Sequence, residues 1–304
     1  MPLTILGPER PDGVLPTALV RARITGPLAL ISAGWRYDEA RDELLRAAVP
    51  NEIHNLGLYD AFRDLERDAP DLAAAWTRKQ DALKRAKELY RRAIVPALAA
   101  CQALWQDRRD PTCPWFLQSV GHLRSFDELF LTQATRLHAQ FEEEVRPERH
   151  PLVRNIQSRI AETLSGCVAL CVAGGHVGVL RNRMAFFELD RWLRDRHVIA
   201  WSGGAMLMCD RVMLYHDHTA YGPGTAEVLD HGFSLLKGVV FLPHARERLN
   251  LSNVDNVAIL AHRLAPRRAI GLENGACYES GRFTGKVGSA FQLGLSGEIH
   301  EESP

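Results

Sequence analysis

The turn Ala200-Trp201-Ser202-Gly203-Gly204-Ala205 is the part of the sequence best suited to chemistry. A small residue two positions before a serine, with small residues after it, suits a sharp turn from a strand into a helix. Such a turn lifts the serine hydroxyl clear of the sheet, where larger neighbours would clash. Ala200 replaces the first glycine of the strict G-x-S-x-G pattern. The pattern therefore predicts either a nucleophilic Ser202 or a plain glycine-rich turn.

A second glycine-rich turn, Gly174-Gly175-His176, follows an apolar run and opens a helix. Two successive glycines let backbone N–H groups point into a cavity and hold an anionic oxygen, helped by the positive end of the helix. Neither G-x-G-x-x-G nor G-x-x-x-x-G-K-[ST] is present, so a nucleotide site is poorly supported. His176 could act as a ligand or base, although capping of the helix is the simpler hypothesis.

A histidine and a possible orienting group follow two later apolar runs. Residues 238–243 lead into His244, and an imidazole at that strand end can reach a serine on a neighbouring strand. Residues 269–272 lead into Glu273 and Asn274. Adjacent residues on a strand point to opposite faces, so only one of the two faces His244 unless the strand has already ended. A carboxylate would stabilise the imidazolium, whereas an amide would only fix the orientation of the ring.

The elements that must position these turns fall into three stretches. Residues 1–49 begin an α/β core, residues 50–150 form an all-helical insertion, and residues 151–304 complete the core. Strands are predicted at residues 28–32, 167–173, 197–201, 211–215, 238–242 and 269–272. Their alternation with helices predicts a three-layer α/β/α sandwich, with a mainly parallel sheet of at least five strands.

The insertion carries two apolar series at helical spacing, residues 76–105 and 126–145. They predict two long helices, the first of them kinked near Pro96. Basic residues at positions 78–92 alternate with the apolar stripe, which predicts a solvated outer face rather than a nucleic-acid surface. The insertion could also pack two copies of the chain into a homodimer.

The composition is that of an ordinary globular protein. The chain has 304 residues, 46% of them hydrophobic, and its 37 basic residues balance 37 acidic ones. We therefore expect neither nucleic acid nor a membrane as a partner. The N-terminus lacks the basic and apolar regions of a secretion signal, which favours a cytoplasmic protein with six reduced cysteines.

A metal site is also not expected. His216-Asp217-His218 places two histidines on one face of an extended segment, a spacing that could hold a metal ion. No third ligand stands at a matching spacing, so we predict a polar turn there, with neither metal nor organic cofactor.

In their order along the chain, these features resemble the peptidase E and cyanophycinase family of serine peptidases. The resemblance covers residues 167–280: a GG turn, a W-S-x-G-A turn, an apolar strand before a histidine and an R-x-R pair, and then G-x-x-E. It implies the class I glutamine amidotransferase-like fold, with residues 18–48 expected to supply the family's first strand. Residues 50–150 exceed what the family usually has there. Ordinary α/β-hydrolases place the acid before the histidine, unlike this chain.

The resemblance implies Ser202 as nucleophile, His244 as its general base, and an oxyanion hole formed by the backbone N–H groups of Gly175 and Gly203. The reaction would be hydrolysis of an amide or peptide bond through an acyl-enzyme. The family's triad glutamate falls on Asn274, so alignment favours Asn274 while the chemistry of a serine nucleophile favours the neighbouring Glu273.

Arg246 and Arg248 are candidates for binding the substrate, a small peptide or amide. Two other functions stay open at this point. One is a glutamine amidotransferase-like amidohydrolase with serine in place of cysteine. The other is a catalytically inactive family member that acts as a binding module.

Overall fold

The computed structural model describes residues 2–9, 13–215 and 225–302. The strands are β1 (Leu3–Leu6), β2 (Leu28–Ile31), β3 (Ile53–Asn55), β4 (Ala169–Val172), β5 (His197–Trp201), β6 (Arg211–Leu214), β7 (Glu227–His231), β8 (Val239–Pro243), β9 (Arg268–Leu272), β10 (Cys277–Glu279), β11 (Arg282–Phe283), β12 (Ala290–Leu293) and β13 (Ile299–Glu301). The α-helices are α1 (Leu15–Arg21), α2 (Glu43–Ala48), α3 (Leu58–Asp68), α4 (Pro70–Arg108), α5 (Pro114–Val145), α6 (Pro151–Ser165), α7 (Val177–Phe186), α8 (Asp190–Leu193), α9 (Gly203–Met208), α10 (Ala245–Arg248) and α11 (Val254–Leu264). The His216-Asp217-His218 segment lies outside the described residues.

The main sheet has seven strands in the order β11-β10-β1-β5-β4-β2-β3. The five strands from β1 to β3 in that order are parallel, while β10 and β11 are antiparallel. Every residue of β2 and β4 is buried, as expected for parallel strands that are covered on both faces. The predicted strands β2, β4 and β5 thus form the centre of the sheet.

Alternate residues of β2 enter two separate cores, and this alternation defines three layers. Leu28 and Leu30 pack in a core with Leu15 of α1 and Ile53 of β3. Ala29 and Ile31 join the larger core, which includes apolar residues of α3, α4, α5, α6 and α7. Because successive strand side chains point to opposite faces, helices cover both faces of the sheet. The predicted α/β/α sandwich with a mainly parallel sheet is confirmed.

The main sheet has at least the five strands expected, but the later predicted strands do not extend it, so the expectation that they complete this sheet is wrong. Strands β8 and β9 pair in parallel within a separate four-stranded sheet of order β13-β12-β9-β8, and β6 pairs with β7 as an antiparallel pair. An apolar run predicts a strand but does not specify its pairing partner. Strand β1, which the sequence analysis missed, takes the place beside β5.

The helical stretch is built on two long helices, α4 and α5. Helix α4 runs through Pro96 as one element, and its predicted apolar series supplies the buried residues Trp76, Tyr90, Ile94, Cys101 and Trp105. The short strand β3 also falls between residues 50 and 150, and it pairs with β2 in the main sheet. Within the described ranges, no helix is both long and apolar enough to cross a membrane.

The prediction of a fully solvated basic face on α4 is wrong for two of its lysines. The Lys87 side chain is only 14% exposed, and its Nζ lies 3.1 Å from Glu227 Oε2. Burial lowers the pKa of Lys79 to about 8. The packing of α4 against α5 and the core turns both residues inward, a contact that helical periodicity alone does not reveal.

A buried group of charges joins this helical layer to α11. The carboxylate of Asp127, on α5, is fully buried and accepts hydrogen bonds from Arg263 Nη2 at 2.6 Å and Arg263 Nε at 2.8 Å. The Tyr90 hydroxyl, on α4, donates to the same carboxylate at 2.7 Å. Buried charges are tolerated when they are paired and hydrogen-bonded in this way.

Replacing Asp127 with asparagine should destabilise the fold by about 3–5 kcal/mol, because it leaves the Arg263 guanidinium buried without its counter-charge. Urea unfolding followed by circular dichroism measures this change. The control is Asp81→Asn, which removes an exposed pair with Lys84 and should cost less than about 1 kcal/mol. Equal effects of the two substitutions would contradict the role given to Asp127.

Candidate active site

Three backbone turns meet at the carboxyl edge of the main sheet, after the adjacent parallel strands β2, β4 and β5. A Cβ atom placed on Gly34 would lie 2.2 Å from Gly174 O, and one placed on Gly174 would lie 2.7 Å from Ser202 Cβ. His176 N–H donates to Gly34 O at 2.7 Å. The backbones approach so closely that a side chain at either glycine would overlap its neighbour.

Ser202 is at the tip of a strained turn between β5 and α9. Its φ of 50° and ψ of −122° lie outside the regions that non-glycine residues normally occupy. The residue is half-buried and lines a cleft of about 1120 Å³. Ala200, which replaces the motif's first glycine, is fully buried in the larger core, so its methyl group is accommodated there.

Gly175 lines the same cleft, and Gly203 directly follows Ser202, which also lines it. Gly175 has a φ of 95°, and a side chain there would also meet Gly34 O at 2.4 Å. Gly203 is the first residue of α9, where an N–H group has no acceptor within its own helix. Among the described residues, neither N–H group donates a hydrogen bond. Two unused donors beside a strained serine are what an oxyanion hole requires.

His176 caps the helix that follows the GG turn. Its Nδ1 accepts a hydrogen bond from Val179 N–H at 3.2 Å at the start of α7. The simpler hypothesis for this residue, a helix cap, is the one the structure shows.

His244 follows the last residue of β8 and lines the same cleft as Ser202. The backbone N–H of His244 donates to Leu272 O of β9 at 2.9 Å. Partial burial, and then the positive charge of Arg248, lower the pKa of the imidazole below its usual 6.5, while Glu247 opposes them. The ring is therefore neutral near pH 7 and able to accept a proton. Ser202 and His244 both lie in the described part of the chain, and no hydrogen bond joins the His244 ring to Ser202.

The two candidate orienting groups lie just beyond the end of β9. Glu273 Oε1 accepts a hydrogen bond from Arg246 N–H at 2.8 Å, so its carboxylate holds the turn that carries His244. Burial raises the pKa of Glu273 despite this hydrogen bond. Neither Glu273 nor Asn274 is hydrogen-bonded to the His244 ring in the described part of the chain.

A carboxylate that the sequence analysis missed is closer to the imidazole. Glu247 Oε2 lies 3.5 Å from His244 Nδ1, and the Glu247 side chain is 79% exposed. The two residues are three positions apart on one short helical turn, a spacing at which side chains are neighbours. The three-residue spacing was the signal available in the sequence for this contact, but such a spacing is too common to identify one glutamate.

The serine turn and the histidine strand belong to different sheets, and hydrogen bonds connect them. Phe233 N–H, before β8, donates to Leu207 O in α9 at 2.7 Å. The buried Tyr215 hydroxyl donates to Pro243 O at 2.6 Å, directly before His244. The first contact joins the segment before β8 to the helix after Ser202, and the second joins the residue after β6 to the end of β8.

The cleft also contains residues that the sequence analysis did not select. Glu9, just beyond β1, accepts hydrogen bonds from Val14 and Leu15 N–H, and its pKa is raised by burial. Trp35 and an ion pair between Asp38 and Arg41 complete this side. They come from segments near β1 and β2 that lie next to the serine turn only after folding.

The two arginines proposed to bind substrate do not line this cleft. The Arg246 guanidinium is placed over the Phe291 ring, 4.6 Å from its centroid. Arg248 acts on His244 through its charge. Across residues 2–9, 13–215 and 225–302, no group of three or more histidine, cysteine or acidic side chains could hold a metal ion.

Comparison with known proteins finds likenesses only among solved structures. No protein-family model and no curated protein matches the chain. The fold is similar to a crystal structure of a peptidase from an acI-B1 Actinobacterium, with 12% identity, a TM-score of 0.44, and coverage of 99% of this chain and 96% of that one. A putative peptidase E protein from Listeria monocytogenes EGD-e matches with 13% identity and a TM-score of 0.31, over 42% of this chain and 64% of that one.

Gly174→Ala should destabilise the protein by about 1–3 kcal/mol, the usual cost of overpacking, because the new methyl group would meet Ser202. The control is Gly121→Ala within α5, where a Cβ atom meets nothing within 4 Å. That change should be neutral or should stabilise by up to about 1 kcal/mol. Thermal unfolding of both variants tests this, and a Gly174→Ala protein as stable as the control would contradict it.

The charges around His244 should be visible in its titration, followed by NMR. We expect its pKa below 6.5 in the native protein. Arg248→Gln should raise the pKa, because a cation that opposes protonation is removed. Glu247→Gln should lower it, because an anion that favours protonation is removed. Arg268→Gln, at an exposed site on β9, should leave the pKa of His244 unchanged. Shifts opposite in sign to those expected for Arg248→Gln and Glu247→Gln would disprove the assignment.

Proposed function

We propose that the protein is a serine-dependent hydrolase of amide or peptide bonds. The observation that carries the proposal is that Ser202, His244 and Gly175 line one cleft, while the N–H groups of Gly175 and of Gly203, the residue after Ser202, donate no hydrogen bond among the described residues. Ligand sites of open α/β sheets lie at this carboxyl edge. A nucleophile, a neutral base and anion-binding donors together are suited to acyl transfer.

In the proposed reaction, Ser202 Oγ attacks the substrate carbonyl carbon while His244 accepts the hydroxyl proton. The carbonyl oxygen becomes an oxyanion that the Gly175 and Gly203 N–H groups stabilise. The imidazolium then gives its proton to the departing amine as the carbon–nitrogen bond breaks. Water attacks the resulting acyl-enzyme with His244 again as base, which releases the acid and restores Ser202.

The cleft favours a short peptide over a minimal amide such as glutamine. Its volume of about 1120 Å³ exceeds the roughly 300–1,000 Å³ of most small-molecule pockets. Glu9, Trp35 and the Asp38–Arg41 pair supply polar and aromatic contacts along it. An amidohydrolase acting on a small amide would use the same Ser202 chemistry but only a fraction of this space.

One observation favours a second candidate, a catalytically inactive binding module. Among the described residues, the His244 ring forms no hydrogen bond to Ser202 and none to a carboxylate. Catalytic hydrogen bonds often tighten only when substrate is bound, so an active hydrolase can have this geometry in its substrate-free form.

Labelling with a serine-directed fluorophosphonate, followed by peptide mapping, separates the two candidates. A hydrolase should be labelled at Ser202, and both Ser202→Ala and His244→Ala should abolish the labelling. Ser234→Ala is the control, because Ser234 also has a positive φ but does not line the cleft. A folded native protein that takes up no label at Ser202 would support the binding module instead.

The labelling rate should also distinguish how Glu273, Asn274 and Glu247 act. If Glu273 positions the histidine turn, Glu273→Gln keeps an acceptor for Arg246 N–H and should be mild, whereas Glu273→Ala should be severe. Glu247→Gln should slow labelling by no more than about fivefold, since an exposed pair contributes up to about 1 kcal/mol. Asn274→Ala should have little effect. A Glu273→Gln variant as slow as Glu273→Ala would instead show that the charge itself stabilises the imidazolium.

A further inference from the structure

A second cavity, of about 570 Å³, lies where the helical layer meets α7. It shares no lining residue with the cleft that contains Ser202. Its walls come from α4, α5, α7 and the end of β7. Its size is typical of sites for small organic ligands.

Lys79 supplies the cavity's unpaired positive charge. Its Nζ lies 4.4 Å from the centroid of the Trp76 ring and 4.5 Å from that of the Phe141 ring. In the described residues, Nζ has no carboxylate within 4.0 Å and donates no hydrogen bond. Lys87, two turns further along α4, shows the usual arrangement, with Glu227 at 3.1 Å. Buried ammonium groups normally have such a partner.

The other charges buried at the cavity compensate one another. Asp230 Oδ2 lies 2.8 Å from His138 Nε2, and Asp230 Oδ1 lies 3.0 Å from Arg181 Nη2. Arg181 Nε donates to His231 O at 2.7 Å. Because Asp230 and Arg181 are occupied in this way, Lys79 is the cation left for a ligand.

The walls limit which anion fits. Trp76, Phe141 and Phe186 are each 6% exposed and form a packed aromatic wall. Glu142, Glu148 and Glu188 also line the cavity. One unpaired cation beside three carboxylates suits at most a single negative charge, whereas a phosphate dianion would be repelled.

We propose that this cavity binds a small organic monocarboxylate with a flat apolar body. Its carboxylate pairs with Lys79 Nζ, and its apolar part packs against Trp76, Phe141 and Phe186. The proposal does not depend on the chemistry of Ser202, so a Ser202→Ala protein should bind the same ligand.

Isothermal titration of the full chain with hippurate, a benzoylated glycine, tests the proposal. Hippurate should bind saturably, and Lys79→Met should weaken binding by at least about tenfold. Lys84→Met is the matched control, since Lys84 is on the same helix, 74% exposed and paired with Asp81, and it should bind like the native protein. The neutral amide of hippurate and inorganic phosphate should both bind at least about tenfold more weakly than hippurate.

The pH dependence in the native protein provides a second test that needs no variant. The charged groups that act on Lys79 are Glu142 of α5, Arg181 of α7 and Asp230 of β7, with His138 beside them. Glu148, Glu188 and His231 also line the cavity. Burial lowers the pKa of His138 below 6.5, so the ring is neutral above pH 7. The free Lys79 ammonium loses its proton near pH 8. Hippurate affinity should therefore begin to fall as the pH rises from 7 to 8, and above the Lys79 pKa it should fall by up to about tenfold per pH unit.

Three results would overturn the proposal. One is the absence of saturable hippurate binding up to about 10 mM, a concentration that covers even weak sites. Another is equal binding by Lys79→Met and Lys84→Met. The third is an affinity that does not change between pH 8 and 9.

Discussion

The close packing of three backbone turns at one edge of the main sheet is the constraint on which the candidate site depends. The turns after β2, β4 and β5 lie side by side because their strands do. A Cβ atom on Gly204 would lie 2.1 Å from Val172 O, much as one on Gly174 would meet Ser202. Glycine is needed at both positions for its lack of a side chain, whereas Gly175 also needs its positive φ. The same contacts hold Ser202 in its strained conformation, and among the described residues the Gly175 and Gly203 N–H groups donate no hydrogen bond.

A second constraint acts between the helical layer and the rest of the chain. Apolar packing alone would let α5 slide, since many arrangements bury a similar area. The buried Asp127–Arg263 pair opposes such a displacement of α5, because separating the two charges leaves both without compensation. Lys87 with Glu227 fixes α4 against β7 by the same principle. These ion pairs thereby also fix the walls of the Lys79 cavity, where one cation is left unpaired.

The sequence was informative where local chemistry determines structure. Apolar runs predicted β2, β4 and β5, and small residues predicted a sharp turn at Ser202. Pairing partners could not be predicted, because β8 and β9 look like central strands of one sheet yet form another. The role of Glu273 was also inaccessible, since its contact with Arg246 N–H is made across the turn after β8. Lys79 and Lys87 resembled solvated residues because the partner helix that covers them is distant in sequence.

Ser202 follows a strand of the main sheet, whereas His244 follows a strand of the four-stranded sheet. Their relative position therefore depends on the contacts between these parts as well as on the turns that carry the two residues. Each residue lies at the end of its own strand, and neither sheet alone defines the distance between them. Contacts outside the two sheets, including the Phe233–Leu207 and Tyr215–Pro243 hydrogen bonds, contribute to setting that distance. Glu273 completes the arrangement by binding the turn after His244, so its carboxylate acts on the backbone that carries the ring. A group can therefore help to position a histidine without touching the imidazole, because the backbone position already limits where the ring can lie.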